Sequence, residues 1–387
     1  TGISNTIIGG RAGDALTDAD FNVAVGMDAL TADTLGSKST ALGQGTLAAQ
    51  NFTTATDTFN VAVGFQAGLS VTTGSANTII GGIAGDAITV GGENTTLGYK
   101  TLSANTTGFY NVAVGSRALA NMNVTDSSGT YNTAVGYNAG NDITTGINNT
   151  FLGGRSGDAF TDADFNVGLG YNALGSDTLG SKSTAIGTFA LETQNFTTAT
   201  DSLNTAVGYF AGLVVSTGTN NTLIGAHAGD ALTDADFNTA VGVNALTADT
   251  VGSRSTAVGW GALQAQNFTT ATNVYNVAVG NLAGTTISTG FYNTLIGGES
   301  GDALTTGPYN TAVGYHTGKL ITTGVQNTLI GGLAGDAITT APNNTAVGYQ
   351  ALTATTTGDN NTGVGRTSLS SNTTGADNTA MGKDALA

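Results

Sequence analysis

A pentapeptide of the type Asn-Thr-Ala-Val-Gly recurs along the whole chain, its glycine falling first at Gly9 and last at Gly382, 22 times in 387 residues. Successive glycines are 17 residues apart except at four 21-residue intervals, which end at Gly64, Gly136, Gly208 and Gly280. Three short intervals and one long one make a 72-residue super-repeat over about 9–296, and residues 297–387 keep the 17-residue spacing alone. A unit this small has no apolar face large enough to bury on itself, so it folds only by stacking on its neighbours. Glycine at this density would cost a helix about 1 kcal/mol at each occurrence, and no amphipathic three-and-four spacing is sustained anywhere. The repeat predicts an all-β fold: one continuous β-solenoid, or β-roll, of 22 coils over 1–387.

With the repeating glycine as position 0, each column of the stack can be read. Position −1 is aliphatic or Met, −3 is Thr or Val, +3 is Ala, Ser or Thr, and −4 is Asn except at Ser39, Ser183 and Ser255. Positions −3 to −1 read as a very short strand whose β-branched −3 and aliphatic −1 residues share one face, which is assigned to the core. The asparagine column either bonds along the axis as a ladder or reflects plain turn preference. The four-residue insertions, such as the one within Gln50-Asn51-Phe52-Thr53-Thr54-Ala55-Thr56-Asp57, fall in the outer turn, as decoration or as a lateral contact.

Two compensations run through the columns. Position +4 is only Leu or Gly; wherever it is Gly, +7 is large and apolar, as in Gly68 with Val71 and Gly157 with Phe160. Where +4 is Leu, +7 is polar, as in Leu47 with Gln50, with Met122 the exception. One core slot per coil filled from either corner accounts for this, because filling both would overpack and filling neither would leave a cavity. A large −2 residue (Ile79, Phe151, Leu223) goes with Gly or Ala at +1, whereas a small one often goes with an aromatic such as Tyr99, Trp260 or Tyr349. The −2 and +1 residues are therefore expected to form an outer face that meets the same face of another copy in a homotrimer, with a single-chain solenoid as the alternative.

Composition removes several function classes. Ten basic against 26 acidic residues give a net charge of −16, so the chain has little with which to follow a phosphate backbone, and nucleic acid and anionic membranes are poor partners. The absence of Cys removes disulfides and thiolate chemistry, and no apolar run reaches the length of a membrane span. His227 and His316 both sit at +2 but five coils apart, about 24 Å at strand spacing, too far to share a metal. Lys319 lies in a segment without the spacing of a phosphate loop. The turns Thr17-Asp18-Ala19-Asp20, Thr161-Asp162-Ala163-Asp164 and Thr233-Asp234-Ala235-Asp236 are the one plausible place for weak Ca²⁺ binding, and solvated turns are the simpler reading. No catalytic, cofactor-binding or metal site residue is assigned, no cofactor is expected, and the chain is not expected to be an enzyme.

The phrase Asn344-Thr345-Ala346-Val347-Gly348-Tyr349-Gln350-Ala351-Leu352, with Thr-Thr-Gly turns around it, resembles the β-roll head repeats of trimeric autotransporter adhesins and related phage tail-fibre proteins. The likeness covers essentially the whole chain at −4, −3, −1, 0 and +3, although adhesin coils are usually shorter. It implies a homotrimeric structural fibre or shaft of an extracellular appendage, a surface adhesin or a phage tail fibre, at the cell or virion surface. A surface-binding solenoid for glycan, ice or Ca-dependent adhesion is the alternative. Self-association and a host-surface glycan or protein are the expected partners. Because both ends lie inside an unbroken register, the chain is expected to be an excerpt of a longer repeat or a unit of an end-to-end filament.

Overall fold

A computed structural model describes residues 2–387 and is an all-β β-solenoid of 22 parallel coils. The coils fall in two compact units, Thr1–Phe189 with Gln194–Asp201, and Ala190–Thr193 with Ser202–Ala387. The first unit runs from strand Thr6–Ile8 to Thr184–Ile186 and the second from Thr205–Val207 to Thr379–Met381. Each coil contributes one three-residue strand at −3 to −1, and within each unit it pairs in parallel and in register with the next, as Thr6↔Val23 and Ile8↔Val25 or Thr311↔Thr328 and Val313↔Ile330.

The strand faces the other way from the sequence expectation. Its middle residue, −2, is buried in nearly every coil, while −3 and −1 point outward: Ala312, Leu329 and Ala346 are fully buried, and Ile8, Leu97 and Ile330 are among the exposed large apolar residues. The physical reason is the thinness of the coil. Alternation sends −4 and −2 to the same side, −4 is a buried Asn, and the space left beside it accepts an alanine more readily than a row of branched side chains. The expected −2/+1 outer face is overturned with it, since −2 is core and +1 is surface.

The shared slot between +4 and +7 is present. Leu30, Leu47, Leu174 and Leu246 at +4 and Val71, Ile88, Ile143 and Ile338 at +7 are all fully buried. A Cβ placed on Gly85 would stand 2.8 Å from Ile88 Cδ1, and one on Gly335 would stand 2.8 Å from Ile338 Cδ1 and 2.9 Å from Leu329 Cδ1. Every large −2 residue occurs in a coil with Gly at +4, so −2, +4 and +7 fill one volume together. Position +4 lies in the left-handed region even when it is Leu, with φ of 53° at Leu30 and 55° at Leu246.

The repeating glycine is fixed by two constraints at once. At Gly348 φ is +136°, and an added Cβ would lie 2.6 Å from the carbonyl oxygen of Gly365 in the next coil. No side chain fits that approach.

Two polar ladders run along the coils. Each −4 asparagine accepts the backbone N–H of the next through its Oδ1 and donates its amide to a turn carbonyl: Asn327 Oδ1 takes Asn344 N at 2.9 Å, and Asn327 Nδ2 reaches Ala341 O at 2.9 Å. The ladder meets Ser39 in the first unit and Ser255 in the second and resumes beyond each, and Ser183 takes the same bond from Asn166 in the last coil of the first unit. The second is a hydroxyl ladder at +8, in which Thr72 Oγ1 donates to Thr89 O and Thr89 Oγ1 donates to Thr106 O. Each insertion folds back on the coil body through one apolar residue, Phe52, Val124, Phe196 or Phe268. Three of them add a two-residue parallel pair, such as Gly36–Ser37 with Thr56–Asp57.

Candidate interaction surface

Because −3 and −1 point outward, each unit presents a sheet face of three columns that carries very little charge. Position −3 gives Thr or Val, −1 gives an aliphatic residue or Met381 in every coil, and +1 gives an aromatic ring in eight of the 22. No residue at −3 or −1 is charged, and at +1 only Arg366 and Lys383 are. The −1 side chains Leu152, Leu169, Ile224 and Ile296 are 38–45% exposed, and the +1 rings of Tyr99, Tyr171, Trp260 and Tyr349 are about half exposed. The tyrosine rings among them lie over a glycine of the preceding coil: the Cβ position of Gly154 is 3.6 Å from Tyr171 Cδ2, and that of Gly332 is 3.6 Å from Tyr349 Cδ2. The link between −2 and +1 seen in the sequence runs along this surface column for Tyr99, Tyr171, Tyr315 and Tyr349, which follow a glycine at +1, whereas Phe65, Tyr137, Tyr209 and Trp260 follow Gln44, Ser116, Thr188 and Val243. Eleven coils at strand spacing make a footprint of about 50 Å by about 13 Å in each unit, on the order of 700 Å².

A polar feature that the sequence reading missed lies inside the coils. The polar +7 residues of the Leu coils are buried, not turned to water: Asp33, Gln50, Asp177, Gln194, Asp249 and Gln266 have no exposed surface. Gln266 Nε2 donates to Asp249 Oδ2 at 2.5 Å and to Ser255 Oγ at 2.9 Å, and Asp249 Oδ1 accepts the backbone N–H groups of Gly252 and Phe268 at 3.1 Å. Asn276 Nδ2 then donates to Gln266 Oε1 at 2.9 Å. The same network is built on Asp33 with Gln50 and Ser39. Here the −4 column changes from Asn to Ser to admit the Gln amide. In the remaining super-repeat the three positions change together to Asn105, Met122 and Asn111, which explains Met122 as an exception. Burial raises the Asp249 carboxyl above its ordinary range, opposed by its hydrogen bonds from Gln266 and the backbone.

The other candidates are dispersed. His227 Nδ1 lies 2.8 Å from Asp230 Oδ2, and His316 Nε2 lies 3.0 Å from Glu299 Oε2. Lys319 hydrogen-bonds Glu299, which holds that carboxyl below its usual range. In the acidic turns the last Asp receives a backbone N–H of the preceding coil: Ile3 to Asp20, Ile147 to Asp164 and Thr219 to Asp236, at 2.7–2.8 Å. Among the described residues no three ligating side chains gather into a metal site. The open cleft beside Lys100 and Arg117, about 240 Å³, has its amides Asn121 and Asn141 engaged by Asp142.

No protein-family model matches the chain, and no curated protein matches it in sequence. Among the described residues no helix is long and apolar enough to cross a membrane.

Proposed function

We propose that the chain is a structural fibre subunit, working outside the cell or on a virion, which associates side by side with copies of itself as a homotrimer through the −3/−1/+1 sheet face. The observation that carries this reading is the uncharged aliphatic column at −1, half exposed along both units. Its footprint in each unit is close to the roughly 800 Å² per partner of a stable protein interface. A cyclic assembly would turn these columns toward a shared axis and leave at the rim the mixed +2 column, which includes Arg11, Lys100, Arg155 and Glu299. The resemblance to adhesin and tail-fibre heads supports the number three and the extracellular setting. Sedimentation should give three times 38.2 kDa for the parent chain and 38.2 kDa for a variant carrying Ile296→Lys and Ile330→Lys, with the β-sheet circular dichroism unchanged. A parent that sediments as a single chain at all concentrations overturns the assembly.

A second reading, an ice- or glycan-binding face, gains one observation: the −3 threonines, expected in the core, stand outward in register beside the aliphatic column. The +1 rings rise beside that column and interrupt a flat ice plane. A thermal hysteresis assay separates the two readings.

A further inference from the structure

The −5 column carries an arrangement that the fibre reading does not use. Every residue in it, from Ser4 to Asp377, adopts a left-handed φ, so the side chains leave successive coils in one direction and stack at strand spacing, about 4.8 Å. Aromatics are uncommon in that conformation. Here they follow a rule. The phenylalanines Phe21, Phe59, Phe165 and Phe237 never occupy adjacent coils, whereas all five tyrosines do, as Tyr110 with Tyr131 and as the run Tyr275, Tyr292, Tyr309.

The ring centroids are 4.9 Å apart in the first pair and 5.5 and 5.2 Å apart in the run, with the planes within 20° of parallel. The rings are 41–55% exposed. The other six tyrosines all lie at +1, and at least one coil without tyrosine at +1 always separates them. Phenylalanine would stack as well as tyrosine. What tyrosine adds is a phenol that can be oxidised by one electron.

We propose that these two stacks are sites of oxidative tyrosine coupling, at which dityrosine links staple consecutive coils together. The oxidant is a one-electron oxidant of the haem-peroxidase class supplied with hydrogen peroxide. Each of two stacked phenols gives up one electron and its hydroxyl proton. The two phenoxyl radicals join through the ring carbons beside the oxygens, forming one C–C bond. The hydrogens on those carbons then move to the oxygens and restore both phenols. One peroxide becomes two waters, and the linked pair is lighter by two hydrogens. A link between neighbouring coils prevents them from unstacking, whether or not the chains assemble laterally.

The test is to treat the purified full chain with peroxidase and hydrogen peroxide, recover chains that still run as single chains on a denaturing gel, and map linked peptides by mass spectrometry. The expected links join Tyr110 to Tyr131, and Tyr292 to Tyr275 or Tyr309, each with the loss of two hydrogens and the blue fluorescence of dityrosine. Tyr131→Phe should abolish the first link. Tyr292→Phe, which leaves Tyr275 and Tyr309 two coils apart, should abolish the second. Both variants keep the ring stack, so misfolding does not account for a loss. Intrachain links among the +1 tyrosines at comparable yield, or oxidation of tyrosine without −5 links, would overturn the proposal.

Discussion

The buried carboxylate of Asp249 accepts a 2.5 Å hydrogen bond from the side-chain amide of Gln266 in the next coil, and neither residue has any exposed surface. The two are interdependent. Asp249→Asn would set an amide donor against the Gln266 amide and should cost about 1–3 kcal/mol. Adding Gln266→Met and Ser255→Asn reproduces the natural trio Asn105, Met122 and Asn111, and most of the loss should return. Denaturant unfolding of the single and triple variants checks this; a triple variant no more stable than the single contradicts the coupling.

The same residue sets a pH dependence. Its folded carboxyl is raised above the ordinary value of 3.8, chiefly by burial, so the folded chain holds this proton to higher pH than the unfolded chain does. The stability it contributes is greatest below 3.8 and is lost as pH climbs through the raised value. Asp249→Asn removes that slope, so the parent's advantage over the variant should shrink as pH rises from 3.8 toward neutrality. An advantage that grows with pH over this range contradicts the assignment.

The repeating glycine separates two effects by position. Gly348→Ala meets both a φ of +136° and a carbonyl at 2.6 Å, whereas Gly382→Ala meets a φ of +124° with nothing within 4 Å. The backbone term alone is about 1–3 kcal/mol. Gly348→Ala should therefore destabilise the chain clearly more than Gly382→Ala, as read by thermal unfolding of the two variants. Equal losses would mean that the close approach of successive coils is unimportant.

How much of this was legible in the sequence depends on the column. Period, coil count and the +4/+7 exchange followed from residue types alone, because each is a local rule repeated many times; the asparagine column admitted a ladder or a plain turn preference, and it builds the ladder. The inside and outside of the strand did not. In an ordinary sheet an aliphatic such as Val313 marks the core and an alanine such as Ala312 is neutral; in a coil this thin the small residue is inside and the aliphatic is left outside. The signal was present in Ile79, Phe151 and Leu329, which are large at −2 only where +4 is Gly. The Asp–Gln network was hidden for a related reason: a polar +7 residue reads as surface unless its partner, one coil away, is known to face it.

The exchange of core types is best tested away from that network, since Asp249 below Leu246 is itself buried and bonded. In the coil of Leu352 and Thr355, Leu352→Gly should cost about 2–5 kcal/mol as a cavity. Adding Thr355→Ile copies the Gly335 and Ile338 coil one step before it and should restore more than half. Calorimetric melting of both variants decides it, and a double variant as unstable as the single would mean that +4 and +7 do not share a slot.

The measurement that bears most directly on the account is thiol labelling at adjacent strand residues, which is clean because the chain has no cysteine of its own. Ala312→Cys and Val313→Cys place one thiol at −2 and one at −1 of the strand Thr311–Val313. The thiol at 312 should resist a maleimide under all native conditions. The thiol at 313 should react readily when Ile296→Lys and Ile330→Lys keep the chains apart, and should be protected in the otherwise parental chain at concentrations where it assembles. A reactive thiol at 312 would contradict the inward −2 core, and a thiol at 313 equally reactive in both backgrounds would contradict the covered outer face.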